Sequence, residues 1–392
     1  MSRYSLHLVF LLYLFLCNQL TIHALLVSPA IMKLPPSLSD ERLFSSLRDK
    51  VIVFIGDSIT RYQYLNLAVA IERNYRWPNA YHDDEELPGS VCTEKVYKDF
   101  NRFFAYTNKA LNGNEMCDCW KDKLHNYENR RYYNPSLNVS LVFTFMGMKL
   151  PQLRQDFNEY PFKRICELFV TNSTTAGELK QCSSEILQAA HPDPAQPDHG
   201  TLLYNMTKAF LPDVVVVNWG HHSFFRIHYR GGKRVYKSMT GAISKLNRDI
   251  KKRVRYIWKS TTPACRHDKA NFVVGRCNIT TYSDSKPPNL VGNLLVHDHY
   301  MELFDAYKVV TTLDAQINKH KRKPPNIHDI DAANNLVDVE RAMPLYVDDI
   351  HLHCWVNAEL NRALLAQLFF RYRTSQSIMT IGYGKNDVQH IK

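Results

Sequence analysis

Three short constellations hold residue types that could divide the work of acyl transfer. The first is Gly56-Asp57-Ser58-Ile59-Thr60-Arg61, directly behind the apolar run Val51–Ile55 and ahead of a helix-compatible segment, Tyr62–Glu72. A serine there stands at the carboxyl edge of a buried strand, where parallel-sheet folds place ligands. Its backbone N–H then faces the site from a helix N-terminus, where developing negative charge is stabilised. The plainer reading is an Asp or Ser that only caps the helix. The second constellation is Asp348-Asp349-Ile350-His351, ahead of Trp355–Phe370, whose Leu360, Leu364, Leu365 and Leu368 suit a packing helix. A serine nucleophile needs a base, and the base needs an orienting acid. Asp348 and His351 are three residues apart, so one turn can aim both. A second Asp-x-x-His copy, Asp122 to His125, falls inside a Cys-rich stretch, and the place of the other copy before the last helix favours Asp348 and His351. The ordinary reading of either copy is a solvated polar loop. The third constellation is Asp213-Val-Val-Val-Val-Asn218-Trp219-Gly220-His221-His222, whose strand delivers Asn218 to the sheet edge as an amide donor for an oxyanion. Gly147, after the run Leu141–Phe145, offers another backbone donor, with a simple turn as the alternative.

The elements that must position these residues are legible as continuous β-branched runs: Val51–Ile55, Leu141–Phe145, Val214–Val217, Val254–Trp258 and Val309–Leu313. Runs without alternation, separated by segments long enough for helices, indicate parallel strands buried on both faces, hence an α/β fold. Between them, Trp77–Pro135, His191–His199 and Asn318–Ala333 read as surface insertions that shape the substrate side. The expected organisation is a targeting segment over 1–24, a stem and leading helix over 25–48, a folded domain over 49–375 and a tail over 376–392.

Composition sets the outer bounds. Of 392 residues, 45% are apolar and 22% charged, which excludes disordered and fibrous classes. Lys and Arg number 49 against 38 for Asp and Glu, a net +11 that favours anionic partners without selecting one. The apolar run Leu8–Cys17 has the length of a signal-peptide core; extended to Val27 through Asn18, Gln19 and His23 it reads instead as a signal anchor. Both readings direct the chain to the secretory lumen, either anchored in the Golgi or secreted. Of nine cysteines, one lies in that segment, and the remaining eight suit disulfides in an oxidising compartment. Sequons at Asn138, Asn172, Asn205 and Asn278 agree with that address and argue against nucleic acid as a partner.

Taken together, Gly-Asp-Ser-x-x-Arg after the first strand, Gly147 after the second, Asn-x-Gly-His after the third and a C-terminal Asp-x-x-His resemble the SGNH (GDSL-type) esterase superfamily, above all its PC-esterase and trichome-birefringence-like branch. Val254–Pro263 is loosely similar to that branch's strand ending in Thr-x-Ser/Thr-Pro. The resemblance implies a three-layer sandwich with a mostly parallel central sheet, here with long disulfide-bearing insertions. It implies Ser58 as nucleophile, His351 as base and Asp348 as its partner, with Ser58 N–H, Gly147 and Asn218 as the oxyanion hole. Arg61 and His221 match motif positions, and Trp219 and Trp355 flank motifs where a ring could stack on a sugar or simply fill the core. Two features depart from the plant members: the Cys-rich segment ahead of Gly-Asp-Ser is missing, and Asp-Cys-x-His-Trp-Cys becomes Asp-Asp-Ile-His-Leu-His-Cys.

The activity so implied is a serine acyltransferase or esterase acting on O-acyl, chiefly O-acetyl, groups of a glycan, without metal or cofactor. As a transferase it needs a separate acyl-donor supplier in the membrane, since this chain lacks the spans to import acyl groups. Two other classes compete: an inactive glycan-binding protein on the same fold, and a polyanion-binding module using Arg226–Lys237 and Lys319–Lys323.

Overall fold

An apolar run with no polar face has to be covered on both sides, and the central strands of the computed structural model meet that demand. The structure describes residues 38–77, 100–121, 126–145, 199–218, 229–263, 265–266, 278–279, 291–321 and 352–370. In chain order the elements are α1 (Asp40–Ser45), β1 (Val51–Gly56), α2 (Ser58–Glu72), α3 (Phe100–Ala110), β2 (Glu115–Lys121), β3 (Asn126–Asn134), β4 (Val139–Phe145) and α4 (His199–Phe210). They continue with β5 (Val214–Val217), α5 (Tyr229–Asp249), β6 (Arg255–Lys259), β7 (Cys265–Arg266), β8 (Asn278–Ile279), β9 (Glu302–Phe304), α6 (Ala306–Lys321) and α7 (Cys354–Phe370).

Seven strands form one sheet in the order β2-β3-β4-β1-β5-β6-β9, and β7 pairs with β8 apart from it. β1 lies parallel to β4 and β5, and β5, β6 and β9 continue in parallel. β2 and β3 are antiparallel. Alternation along each strand divides the core in two. Val53, Ile55, Val215, Val217, Tyr256 and Trp258 pack with α4 and α5 on one face. On the other, Phe54 meets Tyr64 of α2 edge-on at 6.2 Å, and Tyr64 meets Phe143 at 5.9 Å. α7 closes over α2: Asn361 Nδ2 donates to the Gln63 carbonyl and to Asn66 Oδ1, and Asn66 Nδ2 donates to the Cys354 carbonyl. α2 is therefore buried from Ser58 to Ile71, which is why it shows no amphipathic stripe.

Several expectations are corrected. The sheet is mixed, because part of the stretch read as a surface insertion, Trp77–Pro135, supplies α3, β2 and β3 and so completes the sheet. Disulfide-bearing insertions are not found: among the described residues the disulfide-bonded cysteines, Cys117 and Cys354, belong to β2 and to the first turn of α7, which are core elements. Val309–Leu313 is not a strand but lies within α6, whose start is fixed by Asp305 Oδ1 accepting from Lys308 N–H and by Ser260 Oγ accepting from Tyr307 N–H. A short β-branched run fits a helix as well as a strand. The parallel strand beyond β6 is instead Glu302–Phe304. Among the described residues no helix is long and apolar enough to cross a membrane; the N-terminal segment 1–24 lies outside those residues.

What ties the β2–β3 hairpin to α2 is a buried ionic cluster. Arg61 Nη1 donates to Glu128 at 2.9 Å, Arg130 Nε also donates to Glu128, and Arg130 Nη1 donates to Glu115 and to Thr107 Oγ1, each at 2.9 Å. Tyr64 Oη donates to Glu115 at 3.0 Å. Burial alone would raise the Glu128 pKa, but Arg61 and Arg130 outweigh it and hold the carboxyl below its usual range. Removing one carboxylate from such a cluster strands buried guanidinium charge. Glu128→Gln should lose about 3–5 kcal/mol at pH 7, measured by urea unfolding. A carboxyl with a depressed folded pKa stabilises above its unfolded pKa and loses that contribution as pH falls through the folded value. The gap between wild type and variant should therefore narrow below about pH 4.5.

Candidate functional site

Ser58 is the first residue of α2, and the residue before it caps the helix: Asp57 is extended and its Oδ1 accepts from Ile59 N–H at 3.0 Å. The cap is thus Asp57, and the backbone N–H of Ser58 lies at the positive end of the helix. Gly56 is required by close approach. A Cβ at that position would stand 2.5 Å from Thr60 Oγ1 and 2.9 Å from the Asn218 carbonyl.

α2 follows β1 on one face of the sheet, whereas α5, which comes after β5, packs on the other. Neighbouring parallel strands whose helices leave to opposite faces open a crevice at their carboxyl ends. Ser58 leaves β1 and Asn218 leaves β5 at that place. Asn218 is buried, its backbone N–H donating to the Ile55 carbonyl, its Nδ2 donating to the Lys259 carbonyl at 2.9 Å and its Oδ1 accepting from Thr60 Oγ1 at 3.4 Å. This amide therefore locks β5 to β6 and to the first turn of α2.

Arg61, read as a substrate contact, is 6% exposed and committed to Glu128, with its guanidinium also over the rings of Tyr62 and Phe103. Through these contacts it anchors α2. Trp355 is 7% exposed within α7, so the core reading holds for it. Asn205, offered as a glycosylation site, is 2% exposed on α4 and is withdrawn from the folded protein's carriers. Asn138 is exposed in the turn between β3 and β4, where it adopts φ +49° and its Nδ2 donates to Asp49. Gly147, Trp219, His221, Asp348, His351 and Asn172 lie outside the described residues, as does the side chain of Asn278.

Asn129 pairs with Thr144 near the end of β4, so the start of β3 stands at the same carboxyl edge as Ser58.

Sequence reasoning missed Lys259. The last residue of β6, it is wholly buried. Burial pulls its pKa down to about 8 against the opposing pull of Asp57. The signal was present: a lysine at the end of Arg-Tyr-Ile-Trp-Lys, inside a run read as buried on both faces. Compared with models of known protein families the chain matches none, and no curated protein matches it.

Because Asn218 joins three elements, Asn218→Ala should lower stability by about 1–3 kcal/mol. Thermal unfolding measures it, and an unchanged melting temperature would show that the lock is not needed.

Proposed function

We propose that the chain is a serine-dependent acyltransferase or esterase acting on O-acyl groups of glycans, O-acetyl above all, in the secretory lumen or outside the cell. The observation that carries this reading is the placement of Ser58 at the start of α2, beside the crevice between β1 and β5, with helix capping left to Asp57. The motif resemblance to SGNH esterases supports it, and the sequons and paired cysteines support the address.

In the proposed reaction Ser58 Oγ bonds to the ester carbonyl carbon as its proton passes to the imidazole of His351, held by Asp348. The carbonyl oxygen takes the negative charge, facing the Ser58 N–H at the helix terminus. Collapse breaks the bond to the alkoxy group, which leaves with the proton from the imidazole. A sugar hydroxyl then takes the acyl group in transfer, or water does in hydrolysis, returning Ser58 to its hydroxyl form.

A second assignment of the base, to His125 with Asp122, is favoured by one observation: the bond from Arg61 to Glu128 draws the end of β3 against the first turn of α2.

Ser58→Ala should lower turnover of an acetylated glycan or an aryl acetate by roughly a thousandfold or more with the melting curve unchanged. Activity retained by a folded variant removes Ser58 as nucleophile and leaves the glycan-binding reading. His351→Ala and His125→Ala, each checked for folding, assign the base: the proposed triad requires the loss in His351→Ala alone, and a loss confined to His125→Ala reassigns it.

A further inference from the structure

Gly56, Asn218 and Lys259 stand side by side at the carboxyl ends of β1, β5 and β6, and strand alternation puts Asn218 and Lys259 on the face covered by α2. Lys259 Nζ is completely buried and, among the described residues, has no hydrogen-bond partner, and Asp57 Oδ2, likewise enclosed, has none among them either. The carboxylate of Asp57 is the charge that acts on Lys259. From the other elements packed around it the neighbours are Asn218 of β5 and Phe304 of β9. Asp305 is engaged by Ser260 and by the Lys308 N–H, and Glu359 of α7 is engaged by Arg362. An ammonium enclosed without acceptors weakens the fold, since nothing replaces its hydration. Such a group is a local inconsistency of the kind found where a site, rather than stability, sets the residue.

We propose that Lys259 is a positioning residue of the Ser58 site, its buried ammonium balancing the Asp57 carboxylate that caps α2 and so fixing the helix start from which Ser58 projects. The proposal rests on Ser58 being the nucleophile. Asp57 joins the end of β1 to the helix start, its Oδ1 accepting from Ile59 N–H. Neutralising Lys259 leaves that carboxylate facing an apolar interior, and the capped turn shifts with it. A lysine that serves only packing predicts the opposite pattern, because its replacement by an apolar chain of similar length would be harmless to the site.

The test uses the full chain and a fluorophosphonate probe that labels active serines, followed at Ser58 by peptide mapping in wild type, Lys259→Met, Lys259→Arg and Ser58→Ala. Lys259→Met should label Ser58 at least tenfold more slowly than wild type at equal folded fraction, checked by the melting curve, and Lys259→Arg should restore most of the rate. In wild type the labelling rate should fall as pH passes about 8, a limb that Lys259→Met lacks and that needs no variant to be seen. Equal labelling rates in wild type and Lys259→Met, or a wild-type profile without the alkaline fall, overturn the role of Lys259 while Ser58 stands. Absence of labelling at Ser58 in wild type overturns the serine reading and this proposal with it.

Discussion

The pairing of Arg61 with Glu128 is the contact on which the rest of this arrangement depends. α2 begins with Ser58, and one turn later Arg61 enters the interior, where a guanidinium is tolerable only against a carboxylate with further bonds to absorb both charges. Glu128 meets that need and is itself held by Arg130, which reaches Glu115; two cations and two carboxylates balance. Because its partners are spread over α2, β2 and β3, the cluster works only in one register of β2 and β3 against α2. The hairpin is thereby fixed to the helix that begins at Ser58, and the direction of that helix is fixed to the hairpin.

On the other side of Ser58 the restraint is steric and amide-based. Gly56 leaves no room for a side chain between Thr60 and the Asn218 carbonyl, and Asn218 bonds to β6. The start of α2 is thus held from the left by charge and from the right by close packing. Any movement of Ser58 relative to β5 has to deform a strand end or break the cluster.

Much of the frame was legible in the sequence, and the reasons differ by element. Val51–Ile55, Leu141–Phe145, Val214–Val217 and Val254–Trp258 declared themselves because a strand buried on both faces has no polar alternation to confuse it. Val309–Leu313, Val-Val-Thr-Thr-Leu, was read the same way and is helical, since a short β-branched run does not say how a segment is hydrogen-bonded. The region Trp77–Pro135 misled for the reverse reason. Its Arg, Glu and Tyr residues look like solvated surface one at a time, and only pairing in space makes Glu115, Glu128 and Arg130 interior residues. Lys259 escaped by the same habit of assigning charge to the outside. The turn carrying Gly56, Asp57 and Ser58 was readable because each residue there has a separate local task.

The interior position of Asn205 bears on how the protein is made. Sequons are modified on chains that have not yet folded, and α4 turns this one toward the core, with Thr207 enclosed beside it. A sugar added at Asn205 could not be accommodated between α4 and its neighbours. The same motif at Asn138, exposed in a turn, meets no such barrier, so accessibility in the fold, not the motif, separates the two.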